Sequence, residues 1–144
     1  MAAFLPDTSC MVAAVCSWHE HHERAVLAIE SRLNRRERMV VAAPALIEAY
    51  SVLTRLPAPY RISPDDALSL LEENFIRAVK VVALPPEDYG AILRGAPLAG
   101  ISGGRIYDAI VAACARRGNA RTLLTFNDSH FGPPAPPNQT VVVP

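Results

Sequence analysis

The chain has 144 residues, with 14 basic and 14 acidic side chains and a formal net charge of zero. Hydrophobic residues make up 51% of it and charged residues 19%, which excludes a disordered chain and predicts one globular domain over residues 1–144. The neutral balance excludes a strong overall attraction to polyanions, so any contact with nucleic acid must be local.

The three cysteines, Cys10, Cys16 and Cys114, form no C-x-x-C pair. Their odd number argues against a disulfide framework and a structural zinc site, and it favours a reducing cytoplasm. No Lys or Arg precedes the first apolar residues, so we expect no secretory signal peptide. The apolar runs are shorter than the roughly 18–20 residues of a transmembrane helix, so we expect no membrane partner.

Short apolar runs alternate along the chain with segments of helical period, which predicts an α/β fold. We predict strands over residues 2–5, 38–42, 79–84, 121–125 and 140–143, and helices over residues 9–17, 20–35, 44–56, 64–75, 86–93 and 105–117. Gly118 is placed to end the last helix as a C′ glycine, and the proline-rich residues 133–137 are expected to form a loop. Strands separated by helices favour a mostly parallel sheet with helices on both faces.

Polar side chains follow the first and the fourth predicted strands. Asp7 comes directly after the first strand, and Asn127 and Asp128 follow the fourth. Taken alone, Asp7 is typical of a helix N-cap, and the pair Asn127 and Asp128 is typical of a turn. In a parallel sheet, however, reactive groups gather outside the carboxyl ends of the strands, so we expect these side chains to meet at one edge.

Two further acids lie on predicted helices. The helix over residues 105–117 is apolar around its whole circumference except at Asp108, which predicts a helix buried on all sides that holds one acid. The Asp108 carboxylate then needs a cation or hydrogen-bond donors, and Arg105 is a candidate partner. Glu48, taken alone, is typical of a solvated residue. Two carboxylates about 4 Å apart repel by roughly 4 kcal/mol at an effective dielectric near 20. A group of three or four therefore requires a divalent cation, and oxygen ligands favour Mg²⁺ or Mn²⁺ over zinc.

Four segments of the chain resemble the PIN domain, and their closest likeness is to the VapC-type toxins of prokaryotic toxin–antitoxin pairs. These segments are residues 7–9 (DTS), 46–53 (LIEAYSVL), 101–109 (ISGGRIYDA) and 123–131 (LLTFNDSHF). The resemblance covers essentially the whole chain in the same order. It implies a three-layer α/β/α PIN fold, Mg²⁺- or Mn²⁺-dependent endoribonuclease activity, a homodimer and inhibition by a cognate VapB-type antitoxin.

The resemblance also assigns the acids of the site. Asp7, Glu48 and Asp108 match the three acids of the metal site. The fourth position departs from the acidic pattern, because spacing from the preceding strand favours Asn127, whereas spacing back from Phe131 permits Asp128.

The mechanism implied by the resemblance is in-line hydrolysis of an RNA phosphodiester that leaves 5′-phosphate and 3′-hydroxyl ends. The metal would be held by Asp7 and Asp108, while Glu48 and the fourth residue would position the attacking water or a second ion. Ser9 and Thr125 resemble the small polar residues that line such sites. Arg105 would contact phosphate or restrain Asp108.

Two other functions fit parts of the sequence. Residues 100–104 match G-x-S-x-G, with Ser102 as the nucleophile of an acyl hydrolase, but that motif requires a preceding strand where we predict a loop. The second alternative is a PIN-like module that binds RNA or a partner without cleavage, because Asn127 replaces an acid.

Two further clusters have simpler interpretations. The run His19 to Glu23 misses the zinc-protease motif H-E-x-x-H because Glu23 replaces the last histidine, so we expect it to open a hydrated helix. The densest cationic group either contacts RNA or interacts favourably with the carboxyl end of a helix; it consists of Arg32, Arg35, Arg36 and Arg38.

Overall fold

The structure is a computed structural model, which describes residues 2–131 and 139–144. Its strands are β1 (Ala3–Pro6), β2 (Arg38–Ala42), β3 (Lys80–Val82), β4 (Thr122–Leu124) and β5 (Thr140–Val142). Its α-helices are α1 (Thr8–Val15), α2 (His22–Asn34), α3 (Ala43–Arg55), α4 (Pro64–Leu71), α5 (Pro86–Gly95) and α6 (Arg105–Arg117).

The five strands form one sheet in the order β3-β2-β1-β4-β5, and each described pairing is parallel. The predicted α/β fold and parallel sheet are therefore confirmed. Strand β1 lies at the centre, where Phe4 pairs with Met39 on one side and with Thr122 on the other. Whatever leaves the carboxyl end of β1 thus stands in the middle of that edge of the sheet.

Burial along the central strands explains their sequence pattern. All four residues of β1 are buried, as are the last four of β2. Because successive side chains of a strand point to opposite faces, both faces of the sheet must be covered by helices. This arrangement confirms the three-layer α/β/α architecture. Among the described helices, none combines the length and apolarity of a bilayer-spanning segment.

Two helix expectations require correction. The helix predicted over residues 64–75 changes after Leu71 into a π-helical turn, Glu72–Ile76. The expectation that helix α6 is buried all round is wrong, because only Val111, Cys114 and Ala115 are buried and Tyr107 is 57% exposed. Its alanine-rich surface is compatible with packing on one side only, because leaving a small side chain exposed forfeits little of the free energy gained by burying apolar surface. The loop expected over residues 133–137 lies outside the described residues.

Gly118 ends helix α6, but glycine is needed there for close packing and not for a left-handed backbone. It is the C-cap of α6 with φ −82°, and the left-handed residue is Asn119, with φ 57°. A Cβ atom on Gly118 would lie 2.7 Å from Cγ1 of Val40 and 3.1 Å from Cγ2 of Val82. Glycine is therefore required because the end of α6 passes directly over the sheet.

Candidate active site

Asp7 is the centre of the site. It follows β1 directly and caps α1, and its side chain is buried with 3% exposure. Its Oδ1 atom accepts hydrogen bonds from the Ser9 hydroxyl at 2.6 Å and from the Cys10 backbone N–H at 3.0 Å. Its Oδ2 atom accepts one from the Thr125 hydroxyl at 2.5 Å. The capping role expected for Asp7 is thus confirmed, and the same carboxylate joins the exits of β1 and β4.

The two hydroxyl groups that hold Asp7 are themselves held by the chain after β4. The Ser9 oxygen accepts the Phe126 backbone N–H at 3.0 Å, and the Thr125 oxygen accepts the Asn127 backbone N–H at 2.9 Å. Each hydroxyl oxygen accepts a backbone N–H and donates its own proton to Asp7, because an ionised carboxylate can only accept hydrogen bonds. The orientation of Asp7 is therefore determined by two hydroxyl groups, of Ser9 and Thr125, that are far apart from each other in the sequence.

Burial and hydrogen bonding act on Asp7 in opposite directions. Desolvation raises the pKa of the carboxyl group above its ordinary value of 3.8, while the bonds from Ser9, Thr125 and the Cys10 N–H lower it, with a net upward direction. A buried carboxylate in this condition is stabilised by any cation placed beside it.

Glu48 and Asp108 share this region with Asp7. Glu48 lies on α3 and Asp108 in the first turn of α6, and both are half-buried. Burial raises the pKa of Glu48, and the negative charges of Asp108 and Asp7 raise it further, while Arg55 opposes them. The three acids therefore interact through their charges, although each comes from a different element: Asp7 from the end of β1, Glu48 from α3 and Asp108 from α6.

The donor set fits a hard divalent cation. Within residues 2–131 and 139–144, no three or more His, Cys, Asp or Glu side chains form a ready metal cage. Mg²⁺, however, commonly retains several waters and is bound by only one or two carboxylates together with substrate phosphate. Oxygen donors alone, with repelling carboxylates around a buried Asp7, suit that mode of binding.

The remaining predicted residues lie at the rim. Arg105 is the first residue of α6 and is exposed, at the helix end where the dipole disfavours a cation. Asn127 is exposed, although its backbone is bonded to Thr125, and the exposed Asp128 begins a 3₁₀ turn, Asp128–Phe131. Both residues are adjacent to the Asp7 network, so the fourth position stays open between them.

Two sequence clusters have structural explanations. Ser102 lies in a segment of turns over residues 96–104 and does not follow a strand, as expected for a G-x-S-x-G match that is not a nucleophile elbow. In the arginine group, Arg32 and Arg35 both form ion pairs with Glu37, each with an N–O distance of 3.1 Å. Half of that group is therefore engaged within the protein.

Removing the Glu48 charge is expected to stabilise the metal-free protein slightly. The pKa of Glu48 is higher in the folded protein than its unfolded value, near 4.5. The folded state is therefore favoured while Glu48 is protonated, below that unfolded value, and this stabilisation is lost as the pH rises through the pKa of the folded state. We expect Glu48→Gln to raise Tm by a few degrees at most at pH 7.5 in EDTA, and the gain to disappear near pH 4. Thermal unfolding at the two pH values measures this effect.

The matched control for that experiment is Glu73→Gln, which removes an exposed acid from the π-helical turn. It should leave Tm unchanged at both pH values. A loss of stability in Glu48→Gln at pH 7.5, or the same gain at both pH values, would contradict the repulsion inferred among the three acids.

Comparison with known proteins places this geometry in a family. The sequence pattern of the PIN domain matches residues 4–132. The chain is 39% identical over 118 residues to Ribonuclease VapC40 of Mycobacterium tuberculosis, a match that covers 82% of each chain.

Two solved structures share the fold. Mycobacterium tuberculosis VapC20, described as a Sarcin-Ricin loop cleaving toxin, superposes with a TM-score of 0.67 at 16% identity, covering 88% of this chain and 92% of that one. VapBC2 of Rickettsia felis, bound to a DNA fragment from its promoter, gives 0.68 at 19% identity, covering 98% of each. At these identities the likeness concerns the fold alone.

Proposed function

The chain belongs to the PIN-domain family, and from that premise we propose that it is a VapC-type endoribonuclease, the toxin of a toxin–antitoxin pair. Its closely similar relative VapC40 is named a ribonuclease. The observation that carries the proposal is the buried Asp7 carboxylate, held by Ser9 and Thr125 beside the charges of Glu48 and Asp108. Such a cluster suits hydrolysis of a phosphodiester with a divalent ion.

In this proposal Asp7 and Asp108 hold Mg²⁺ or Mn²⁺. When bound, the ion supplies charge neutralisation at the phosphoryl oxygens and a lowered pKa for water. Ser9 and Thr125 keep the Asp7 oxygens in one orientation, so no reorganisation is needed when substrate arrives.

The remaining site residues act on water and phosphate. Glu48, whose raised pKa suits a proton acceptor, positions the attacking water together with Asn127 or Asp128. Arg105 at the exposed rim contacts a phosphate of the RNA backbone. Attack in line with the leaving oxygen then gives 5′-phosphate and 3′-hydroxyl ends.

The proposal extends to partners and surroundings. We expect inhibition by a VapB-type antitoxin, and two of the solved structures that share this fold are VapBC bound to DNA. We also expect residues 1–144 to act as one nuclease domain within a homodimer, and exposed apolar side chains on α3, such as Ile47 and Tyr50, support such a contact. The three cysteines are free and buried, which agrees with a reducing cytoplasm.

The direct test uses purified protein on a panel of structured RNAs that includes transfer RNA and the sarcin–ricin loop of ribosomal RNA. We expect cleavage with Mg²⁺ or Mn²⁺ and none in EDTA or with Asp108→Asn, and excess Mg²⁺ should restore the wild-type activity. Cleavage that survives both EDTA and Asp108→Asn would exclude the metal mechanism. RNA binding without any cleavage would identify the chain as a non-catalytic PIN-like binding module.

A further inference from the structure

A row of aromatic and imidazole rings crosses the surface beside the site, and we call it the ring row. It consists of Tyr60, Trp18, His19, His21 and Phe126 in spatial order. The ring centroids are 4.5 Å apart for Tyr60 and Trp18, 5.8 Å for Trp18 and His19, 5.6 Å for His19 and His21, and 4.4 Å for His21 and Phe126. The last pair is stacked, with 13° between the planes.

The far end of the row is exposed and held in place. Trp18 is 45% exposed and Tyr60 46% exposed, although each ring already contacts the other. The loop that carries Tyr60 is bonded to itself and to α3, through Tyr60 N–H to the Pro57 carbonyl at 2.9 Å and Ile62 N–H to the Leu53 carbonyl at 3.1 Å. A ligand that stacks here would therefore meet rings that are already positioned.

The near end of the row is continuous with the active site. Phe126 follows Thr125 directly, and its backbone N–H bonds the Ser9 hydroxyl that in turn bonds Asp7. A chain passing over Asp7 and continuing past Phe126 would run along His21 and His19 to Trp18. The geometry thus connects the proposed cleavage site to an exposed aromatic surface.

Cations lie at both ends of the row in a chain with no net charge. The Arg24 guanidinium lies 5.5 Å from the centroid of the Phe126 ring, and its Nε and Nη2 atoms donate to the Pro144 carbonyl. The exposed Arg61 follows Tyr60 directly, and its Nε atom donates to the Leu56 carbonyl at 2.9 Å. Two acids lie in the same segment: Glu20, whose carboxylate lies 3.4 Å from Nε2 of His21, and the exposed Glu23. Stacking rings flanked by arginines are typical of sites for unpaired nucleotides, where bases stack and phosphates pair with the cations.

We propose that the ring row binds unpaired nucleobases of the RNA substrate next to the scissile phosphate, by stacking on the exposed rings of Trp18 and Tyr60. This inference rests on the proposed function, because it extends the same site. Planar rings with polar edges favour bases over an apolar peptide, which would require aliphatic side chains in a closed groove. Stacking tolerates any base, so we expect the row to contribute affinity for RNA without a preference for one sequence.

The test uses Trp18, since it is the only tryptophan of the chain. We expect quenching of its fluorescence when the full-length Asp7→Asn protein is titrated with a single-stranded RNA octamer in Mg²⁺. A duplex of the same sequence, and an octamer that lacks bases, should produce little quenching at equal phosphate concentration. RNA binding that leaves Trp18 emission unchanged would overturn the inference.

Matched variants test the row by affinity, which does not depend on fluorescence. Tyr60→Leu and Trp18→Leu should each weaken binding of the octamer by about 5- to 100-fold, whereas Tyr60→Phe, which keeps the ring, should bind normally. Thermal unfolding of each variant checks that it is folded. If Trp18→Leu does not fold, Tyr60→Leu alone carries the affinity test.

The outcomes separate this inference from the proposed function. Normal RNA binding and cleavage by Tyr60→Leu overturns the ring row and leaves the ribonuclease standing, even if the antitoxin then binds more weakly. A wild-type chain that neither binds nor cleaves RNA overturns both.

Discussion

Replacing Asp7 by Asn is expected to lower the rate of RNA cleavage by at least about 100- to 1,000-fold while the protein remains folded. The substitution removes the buried negative charge that we assign to the metal. It keeps an oxygen that can accept from the Ser9 hydroxyl and the Cys10 N–H, so the cap of α1 is retained. Initial rates on one RNA at several Mg²⁺ concentrations, together with thermal unfolding, measure both effects.

A control with the same change of side chain is Asp65→Asn, which alters an exposed acid in the first turn of α4. Its cleavage rate should stay within about twofold of wild type, because it leaves the site unchanged. Asp7→Asn protein that cleaves RNA at the wild-type rate would remove Asp7 from the mechanism.

The second large effect is expected at Thr125, whose side chain is 0% exposed. Thr125→Val keeps the shape but removes the donor to Asp7 and the acceptor of the Asn127 N–H. We expect a loss of about 1–3 kcal/mol in the free energy of unfolding and a roughly 10- to 100-fold slower reaction.

The pH profile distinguishes this positioning role from simple destabilisation. The Thr125 bond is one of the contacts that lower the pKa of Asp7. Its loss should raise that pKa further, so the acidic limb of the pH–rate profile should move to higher pH. Thr125→Ser, which keeps the hydroxyl, should restore the profile. A slower Thr125→Val enzyme with an unshifted profile would contradict the role assigned to this bond.

The strands were predictable because their apolar runs are short and separated by helices. All five predicted strands lie within two residues of the observed bounds, and β2 coincides with its prediction. The one-sided burial of α6 was not predictable from its sequence, since alanine suits both a buried and a half-exposed surface. The need for glycine at position 118 depends on Val40, a contact that no local pattern reveals.

The candidate site likewise combines residues that the sequence predicts with residues that it does not. The meeting of Asp7 with the chain after β4 was predictable because strand exits in a parallel sheet converge. Ser9 and Thr125 were expected only from the resemblance to the PIN domain, and both donate to Asp7. The choice between Asn127 and Asp128 was not predictable, because the chain after β4 leaves the sheet in a turn and spacing no longer identifies the side chain that occupies the proposed fourth position. The ring row could not be predicted, since nothing in the sequence places a loop at Tyr60 beside Trp18.

The central position of β1 has a consequence during synthesis of the protein. The partner that completes the Asp7 environment, Thr125, lies 118 residues further along the chain. The hydrogen bond between the two side chains can therefore form only after residue 125 has left the ribosome, so the network around Asp7 is completed late in synthesis.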